Sequence, residues 1–370
     1  MVEWKKLGKI ARLVRGKVIS KDYIRDNGGD YPVYSSQTAD NGVMGRINSY
    51  MFDGDYLTWT TDGAYAGTIF RRKGRFNITN VCGLIDITDD EIYQDYLYYW
   101  LSLTAKSYVS EGMGNPKLMS NVASTIQIPI PSLSEQSRIV SILDTFTASI
   151  ENLKEQIAER RKQYEYQRDQ LLDLEGKEGV EMKPLKEVFD TRNGYTPSTK
   201  EEIFWTNGNI PWFKMEDIRD NGGILSDSNL HITPAAIKGK GLFKANSIIL
   251  ATSATIGEHA LITVQHLCNQ RFTNFYPNTK FVDKVDMKYV YYYMFIVDEW
   301  CKQHVNQGGF ASVDMTGLYN LPIPLPSLYE QQRIVSILDT FEASIANLEA
   351  QLELRQKQYE YYRNQLLTFE

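Results

Sequence analysis

The sequence predicts an α+β chain: two globular β-rich heads separated by two long helices that form an antiparallel coiled coil, with an internal pseudo-twofold repeat. Three observations predict it. A stretch of 48 residues occurs twice, at a constant offset of 195 and with 33 identities. Both copies carry a sustained 3.5-residue apolar period. The segments outside the copies are rich in Gly, Asn, Thr and Tyr, with short alternating apolar runs that read as strands and turns.

The first head occupies residues 1–127. Tyr56-Leu-Thr-Trp-Thr60 reads as a strand and Thr61-Asp-Gly-Ala64 as the turn that follows it. Tyr93 to Leu103 reads as a Tyr-rich helix, followed by a Gly-rich loop at Gly112-Met-Gly-Asn115. Residues 128–182 hold the first long helix and a short linker. Pro-rich chain leads to Ser132-x-x-Glu135, the capping-box pattern in which the Glu reaches back to the cap. Apolar residues then fall at Ile139, Leu143, Phe146, Ile150, Leu153 and Ile157, and the seam continues through Arg160, Tyr164 and Gln167 to Leu171.

The second head, residues 183–322, repeats the layout with a different sequence. Val180-Glu-Met-Lys183 echoes Val2-Glu-Trp-Lys5. Ser247-Ile-Ile-Leu-Ala251 reads as a strand, Ser253 to Gly257 as its turn, Tyr289 to Trp300 as the helix, and Gln307-Gly-Gly-Phe310 as the loop. Residues 323–370 hold the second long helix, opening on Ser327-x-x-Glu330. Its seam is Ile334, Leu338, Phe341, Ile345, Leu348, Leu352, Arg355, Tyr359, Tyr362 and Leu366. About 40 helical residues make a rod of roughly 60 Å. Two seams in one chain most simply pair with each other, and Tyr164 and Tyr359 are expected in that packing. Arg160 and Arg355 hold the same seam position, either as snorkelling side chains or as polar setters of register.

The chain has 370 residues and a net charge of −6. That acidic average argues against a nucleic-acid binder until it is divided. The first head carries 15 basic and 14 acidic residues, the second 14 of each; the helical segments carry 7 against 11 and 4 against 7. The negative charge thus belongs to the helices. The heads are near neutral, with basic clusters at Lys5–Arg15, Arg71–Arg75 and Lys238–Lys244 that can meet phosphates.

Cys82, Cys268 and Cys301 lie far apart, which reads as buried free thiols in a reducing compartment. No apolar stretch approaches bilayer length, and the expectation is a soluble cytoplasmic protein with no membrane contact. The sequence contains no phosphate-binding G-x-x-x-x-G-K-[ST] loop, no G-x-G-x-x-G fingerprint and no G-x-S-x-G elbow. His231, His259, His266 and His304 lack zinc-binding spacing, so no metal and no catalytic residues are assigned. An N-P-P-[YF] segment is absent too; Asn115-Pro116 continues to Lys117.

A variable block, then I-P-x-P-x-L-x-E-Q-x-x-I-x-x-x-L-D leading a long helix, then both again: this layout resembles the DNA specificity subunit of Type I restriction-modification systems across the whole chain. Tyr31-Pro-Val-Tyr-Ser-Ser and Phe52-Asp-Gly-Asp-Tyr-Leu-Thr-Trp-Thr-Thr-Asp-Gly-Ala-Tyr-Ala-Gly are similar to one kind of target-recognition domain. Gly194-Tyr-Thr-Pro-Ser, Ile210-Pro-Trp and Cys268-Asn-Gln are similar to another. The resemblance implies that each domain reads one half of a bipartite site in double-stranded DNA and that the coiled coil measures the spacer. It implies two modification subunits that use S-adenosylmethionine to methylate adenine N6, and restriction subunits that use ATP and Mg. The chain itself would have no cofactor and no active site.

Base edges are read by paired donors and acceptors. The DNA-contact candidates in the first head are Ser35, Ser36, Gln37, Thr60, Thr61, Asp62, Arg71, Arg72, Lys73 and Arg75. In the second they are Thr196, Ser198, Lys214, Ser253, Thr255, Asn269, Gln270 and Arg271. Asp62 could equally cap its own turn. Trp59 and Trp212 are expected in cores rather than stacked on bases. A coiled-coil scaffold presenting two protein-binding heads is the alternative; a fused restriction-methylation enzyme would need a longer chain and the missing motifs.

Overall fold

The computed structural model describes residues 2–110, 114–306 and 311–369. It divides into two compact units, Met1–Glu155 with Ala350–Glu370, and Gln156–Glu349. Each unit holds one head, the first part of one long helix and the last part of the other. The helical segments expected at 128–182 and 323–370 are therefore each shared between the units. Of the expected Gly-rich loops, Gly112, Met113 and 307–310 lie outside the described residues.

The first unit begins with β1 (Glu3–Lys6), α1 (Leu7–Ile10), β2 (Ala11–Arg15) and α2 (Lys21–Asp26). Strands β3 (Gly28–Tyr34), β4 (Val43–Ile47), β5 (Phe52–Thr60), β6 (Ile69–Ile78) and β7 (Cys82–Ile87) follow. The sheet order is β2-β7-β5-β6-β3-β4, antiparallel except for β3 on β6. Helix α3 (Gln94–Thr104), the short α4 (Ser120–Ala123) and β8 (Gln127–Ile130) lead to the long α5 (Leu133–Leu172). β8 pairs with β1. Trp59, on the strand read from sequence, is buried, and its indole donates to the Leu118 carbonyl at 2.9 Å.

The second unit repeats this order. β9 (Glu181–Pro184), α6 (Leu185–Val188) and β10 (Phe189–Asn193) match β1, α1 and β2. An irregular stretch then carries β11 (Ile210–Phe213), α7 (Met215–Asn221), β12 (Ile224–Leu225) and β13 (His231–Ile232). β14 (Ser247–Ala251), β15 (His259–Ile262), β16 (Leu267–Cys268) and β17 (Phe272–Pro277) complete two sheets, ordered β10-β17-β14-β15-β12 and β13-β11-β16. Helix α8 (Met287–Gln303), strands β18 (Val305–Asn306) and β19 (Ser312–Val313), α9 (Met315–Asn320) and β20 (Pro322–Leu325) precede the long α10 (Leu328–Leu366). β20 pairs with β9 as β8 does with β1.

One set of buried polar bonds ties each head to its long helix, and it is the same in both units. Gln136 and Gln331 are fully buried. The Gln136 amide donates to the carbonyls of Pro131 and Glu91 and accepts from the Tyr93 N–H. The Gln331 amide does the same with Pro326, Lys284 and Asp286. The head helix then presents three aromatic donors. Tyr96, Tyr99 and Trp100 reach the Pro129 carbonyl, the Asp144 carboxylate and the Gln127 carbonyl. Tyr289, Tyr292 and Tyr293 reach Pro324, Asp339 and Pro322, the matching positions. Burial, with the carboxylate beside them, pushes the Tyr99 and Tyr292 hydroxyls well above the ordinary tyrosine value and keeps them protonated donors.

The long helices run to 40 and 39 residues. In the first unit Phe146 stacks on Tyr362 at 5.3 Å, while Leu366 and Leu367 reach the core that holds Ile139 and Leu143. In the second, Arg161 pairs with Glu349 and Tyr164 donates to Glu342 at 3.0 Å. Positions rise along α5 as they fall along α10, so the helices are antiparallel in each unit. Ile150, Leu153 and Ile157 are buried; Ile345, Leu348 and Leu352 are half-buried. At the helix ends Leu172 and Leu367 go deeper than the expected seam residues Leu171 and Leu366. A 3.6-residue helix drifts off a strict seven-residue repeat, which hands burial to the next residue.

One local expectation is corrected. Ser132 and Ser327 cap their helices, each accepting at 3.3 Å from the Glu N–H three residues on. The Glu side chains do not reach back, because Glu135 and Glu330 each make a bidentate pair with Arg138 or Arg333 one turn ahead, a stronger charge-assisted bond. Arg160 and Arg355 lie over the rings of Phe341 and Phe146, at 5.9 and 5.6 Å to the centroids. The seam cations thus lie over aromatic faces of the opposite helix.

Replacing Gln331 with Leu leaves two carbonyls and an N–H buried without partners. The expected cost is about 2–4 kcal/mol of unfolding free energy. Denaturant titration should show that loss for Gln331→Leu, and less than about 0.5 kcal/mol for the neighbouring exposed Gln332→Ala.

Candidate nucleic-acid interface

In both heads the chain builds the same small backbone frame beyond the ends of β5 and β14. A three-residue turn precedes β7, Thr79-Asn80-Val81, closed by Cys82 N–H to Thr79 C=O at 3.0 Å. Its counterpart before β17 is Asn269-Gln270-Arg271, closed by Phe272 N–H to Asn269 C=O at 3.2 Å. The residue after each strand clamps the turn: Thr61 N–H donates to Val81 C=O at 3.1 Å, and Thr252 N–H to Arg271 C=O at 2.9 Å. A segment from near the end of the head closes the frame. Leu118 N–H donates to Thr61 C=O, and Val313 N–H to Thr252 C=O, both at 2.9 Å.

A glycine completes it from the fourth side. Gly16 and Gly194 follow β2 and β10. A Cβ on Gly16 would lie 2.0 Å from the Ile78 carbonyl oxygen, and one on Gly194 would lie 2.2 Å from that of Asn269. Only glycine lets the chain approach the turn so closely.

The side chains on this common frame differ. In the first head the Arg15 guanidinium donates to the Asn80 carbonyl and lies 3.9 Å from Asp62, which is 3.8 Å from Lys117. In the second head Thr196 donates to the Gln270 amide oxygen, and Ser253 faces Ser312. A shared frame with unlike exposed donors and acceptors is suited to reading two different surfaces.

The Type I restriction modification DNA specificity domain model matches residues 1–160 and again 177–355. The chain belongs to that family. It is 30% identical over 368 residues to a putative type I specificity subunit of Mycoplasma pneumoniae, covering 98% of this chain and 97% of the relative. It is 50% identical over 201 residues to the type I restriction enzyme EcoprrI specificity subunit of Escherichia coli, a match spanning 51% of this chain and 50% of that subunit's length. The fold is that of the type I S subunit from M. genitalium, at a TM-score of 0.60 and 14% identity, covering 100% and 97% of the two chains. Within a type I system this chain is therefore the specificity subunit, not the catalytic one.

In this specificity subunit the second-head candidates come together. Asn269, Gln270 and Arg271 are the turn itself, Thr196 bonds to it, and Ser253 and Thr255 follow the clamping residue. Lys214 follows Phe213, whose carbonyl accepts from Asn269 N–H at 3.0 Å; its own N–H is taken by Asp217. Ser198 is exposed in the loop that begins at Gly194. Trp212 is buried, as expected, and its indole donates to the Tyr195 carbonyl.

The first-head candidates divide. Thr61 and Asp62 belong to the frame, and Ser35 lies beside it, 3.3 Å from the Thr79 hydroxyl. Ser36 and Gln37 follow β3; the Gln37 amide donates to the Val43 carbonyl. Thr60 and Thr61 are fully buried, so at these positions only neighbours are accessible. The arginine cluster points elsewhere. Arg71 pairs with Asp95 at 2.7 Å and Asp144 at 3.3 Å, against the long helix. Arg72 is buried over Tyr34 and Phe70, bonded to Thr58 and the Asn41 carbonyl, and burial lowers its pKa. Arg75 pairs with Asp53, and Lys73 is exposed on the same strand. Along β6 Arg71, Lys73 and Arg75 share one face and Arg72 takes the other; the run is not a free basic patch because Arg71 and Arg75 are neutralised by carboxylates and Arg72 is buried.

Asn80 and Lys117 were not among the sequence candidates, and Arg15 stood only in the basic cluster Lys5–Arg15; the fold brings all three to the frame, around Asp62. The only local signal was Thr79-Asn80 shortly before the strand that opens at Cys82, as Asn269-Gln270 stand shortly before the strand that opens at Phe272.

Among the described residues no group of His, Cys, Asp and Glu could hold a metal ion. His259 instead clasps β15 to α8, with its nitrogens 2.6 Å from Asp298 and 2.9 Å from the Tyr291 carbonyl. All three cysteines are free and buried. Among the described residues no helix is long and apolar enough to cross a membrane.

His266 packs between the rings of Phe213 and Phe243 and bonds through Nδ1 to the Val264 carbonyl. Burial holds its pKa down at about 4. The unfolded chain binds this proton near pH 6.5 and the folded chain does not, so stability is complete above pH 6.5 and falls as the pH drops towards 4. Unfolding followed across that window should show the loss in the native chain and a flatter profile for His266→Gln.

Proposed function

We propose that each head reads one half of a bipartite, asymmetric site in double-stranded DNA, through the face that carries its turn frame. The single observation that carries this reading is one backbone frame, built by the same hydrogen bonds in both heads, dressed with different exposed side chains. Phosphate contacts would position each head and the turn residues would meet base edges. The two paired helices would set the unspecified spacer between the halves, in the cytoplasm where the DNA lies.

The helices also support docking of one protein twice. Ser141, Thr145 and Ala148 of α5 are exposed in the first unit, with Tyr361 and Gln365 of α10. Ser336, Thr340 and Ala343 of α10 are exposed in the second, with Tyr166 and Gln170 of α5. The two sets are identical in residue type, and packing within the chain does not require them to be. Two modification subunits fit this duplication. They would bring S-adenosylmethionine and methylate adenine N6 after flipping the base. Restriction subunits, with ATP and Mg, would join the same complex.

The near-neutral heads and acidic helices fit a subunit whose partners supply much of the positive surface around the duplex. Exchanging residues 1–127 for the first head of another specificity subunit, then mapping methylated adenines, tests the reading. One half of the recognised sequence should change while the other half and the spacer stay. A change in both halves, or in neither, contradicts it.

A further inference from the structure

We infer that Arg271 is the residue through which the second head selects a guanine, and that the first head, with Val81 in the matching place, makes no such selection there. This deepens the proposed reading of half-sites and rests on it.

The frame fixes the equivalence. Val81 and Arg271 are the third residues of their turns, and each gives its carbonyl to the clamping N–H of Thr61 or Thr252. Their backbones are thus held alike and their side chains leave from matching points. Arg271 is further braced by its own N–H, which donates to the Asn269 side-chain oxygen at 2.9 Å. Asn269 is tied in turn to the Phe213 carbonyl, and Gln270 to Thr196. The stem of Arg271 therefore rises from a rigid base.

Its head group is not used by the fold. Arg271 is exposed, and among the described residues its guanidinium has no ion pair, side-chain hydrogen bond or aromatic partner. Elsewhere in the heads, Arg12, Arg71, Arg75 and Arg219 are paired with carboxylates, Arg72 is buried, and Arg15 and Arg192 are bonded to carbonyls. A free guanidinium on a braced turn presents the fork of donors that matches the O6 and N7 acceptors of guanine in the major groove. A valine offers only a methyl-sized apolar contact. The shared frame would then give two half-sites that differ in base chemistry at this place.

The test maps methylated adenines in cells carrying the chain with its modification subunits, comparing the native chain with Arg271→Ala and Arg271→Lys. In the native motif the second half-site should contain a guanine. With Arg271→Ala that one position should lose its preference by about 5- to 150-fold, the range for a lost bidentate base contact. The first half-site and the spacer should not move, which also reports that the complex folds and assembles. Arg271→Lys should restore part of the preference.

An unchanged motif in Arg271→Ala overturns the inference. So does a uniform loss of methylation at all sites with no change at any position, since that marks a phosphate contact. If exchange of the whole first head alters one half-site as expected and Arg271→Ala alters none, the assignment of Arg271 fails while the half-site reading stands.

Discussion

The buried glutamine at the start of each long helix is the interaction on which the rest of the fold depends. Gln136 and Gln331 each satisfy two carbonyls and one N–H drawn from the head and the Pro-rich strand. A buried amide is tolerated only when its bonds are made, so this one defines a single way of joining head to helix. The aromatic donors of α3 and α8 extend the joint along the helix as far as Asp144 and Asp339. The heads have little sequence in common, yet both are held by the same bonds at matching positions. Trp100 and Tyr293 make the point: an indole and a phenol, with different donors, reach the same carbonyl position in the two repeats.

This joint lets the rest of each head vary. Each head is built on sheets of different strand order, one of six strands in the first unit and two of five and three strands in the second. The turn frame is again common to both. Variation is thus confined between two fixed structures, the joint that holds the head and the frame that presents its side chains. That division would suit the proposed reading, in which the partners stay the same while the recognised sequence differs between halves.

The repeat, the seam and the capping serines were legible in the sequence because they are local and periodic. Leu143 and Leu338 could be placed by counting. The strand Tyr56–Thr60 and its turn were also local, and the structure has them. The candidate interface was only half legible. Arg71, Arg72 and Arg75 looked like a basic patch, but one strand sends them to the long helix, to the core and to Asp53. Arg15, Asn80 and Lys117 meet only because the fold brings three distant segments together. Gln136 stood in view beside the capping Glu135, but nothing local marks a glutamine as buried. The net charge of −6 reads differently once divided: the acidity lies with the helices, whose exposed faces are the repeated ones.

Two heads built on one common frame and dressed with different side chains should read two unlike half-sites. The most direct measurement maps every methylated adenine in a genome modified by the complex containing the native chain. The map should show one motif with two different halves separated by a fixed number of unspecified bases. A single uninterrupted motif, or two halves that are inverted copies of each other, would contradict it.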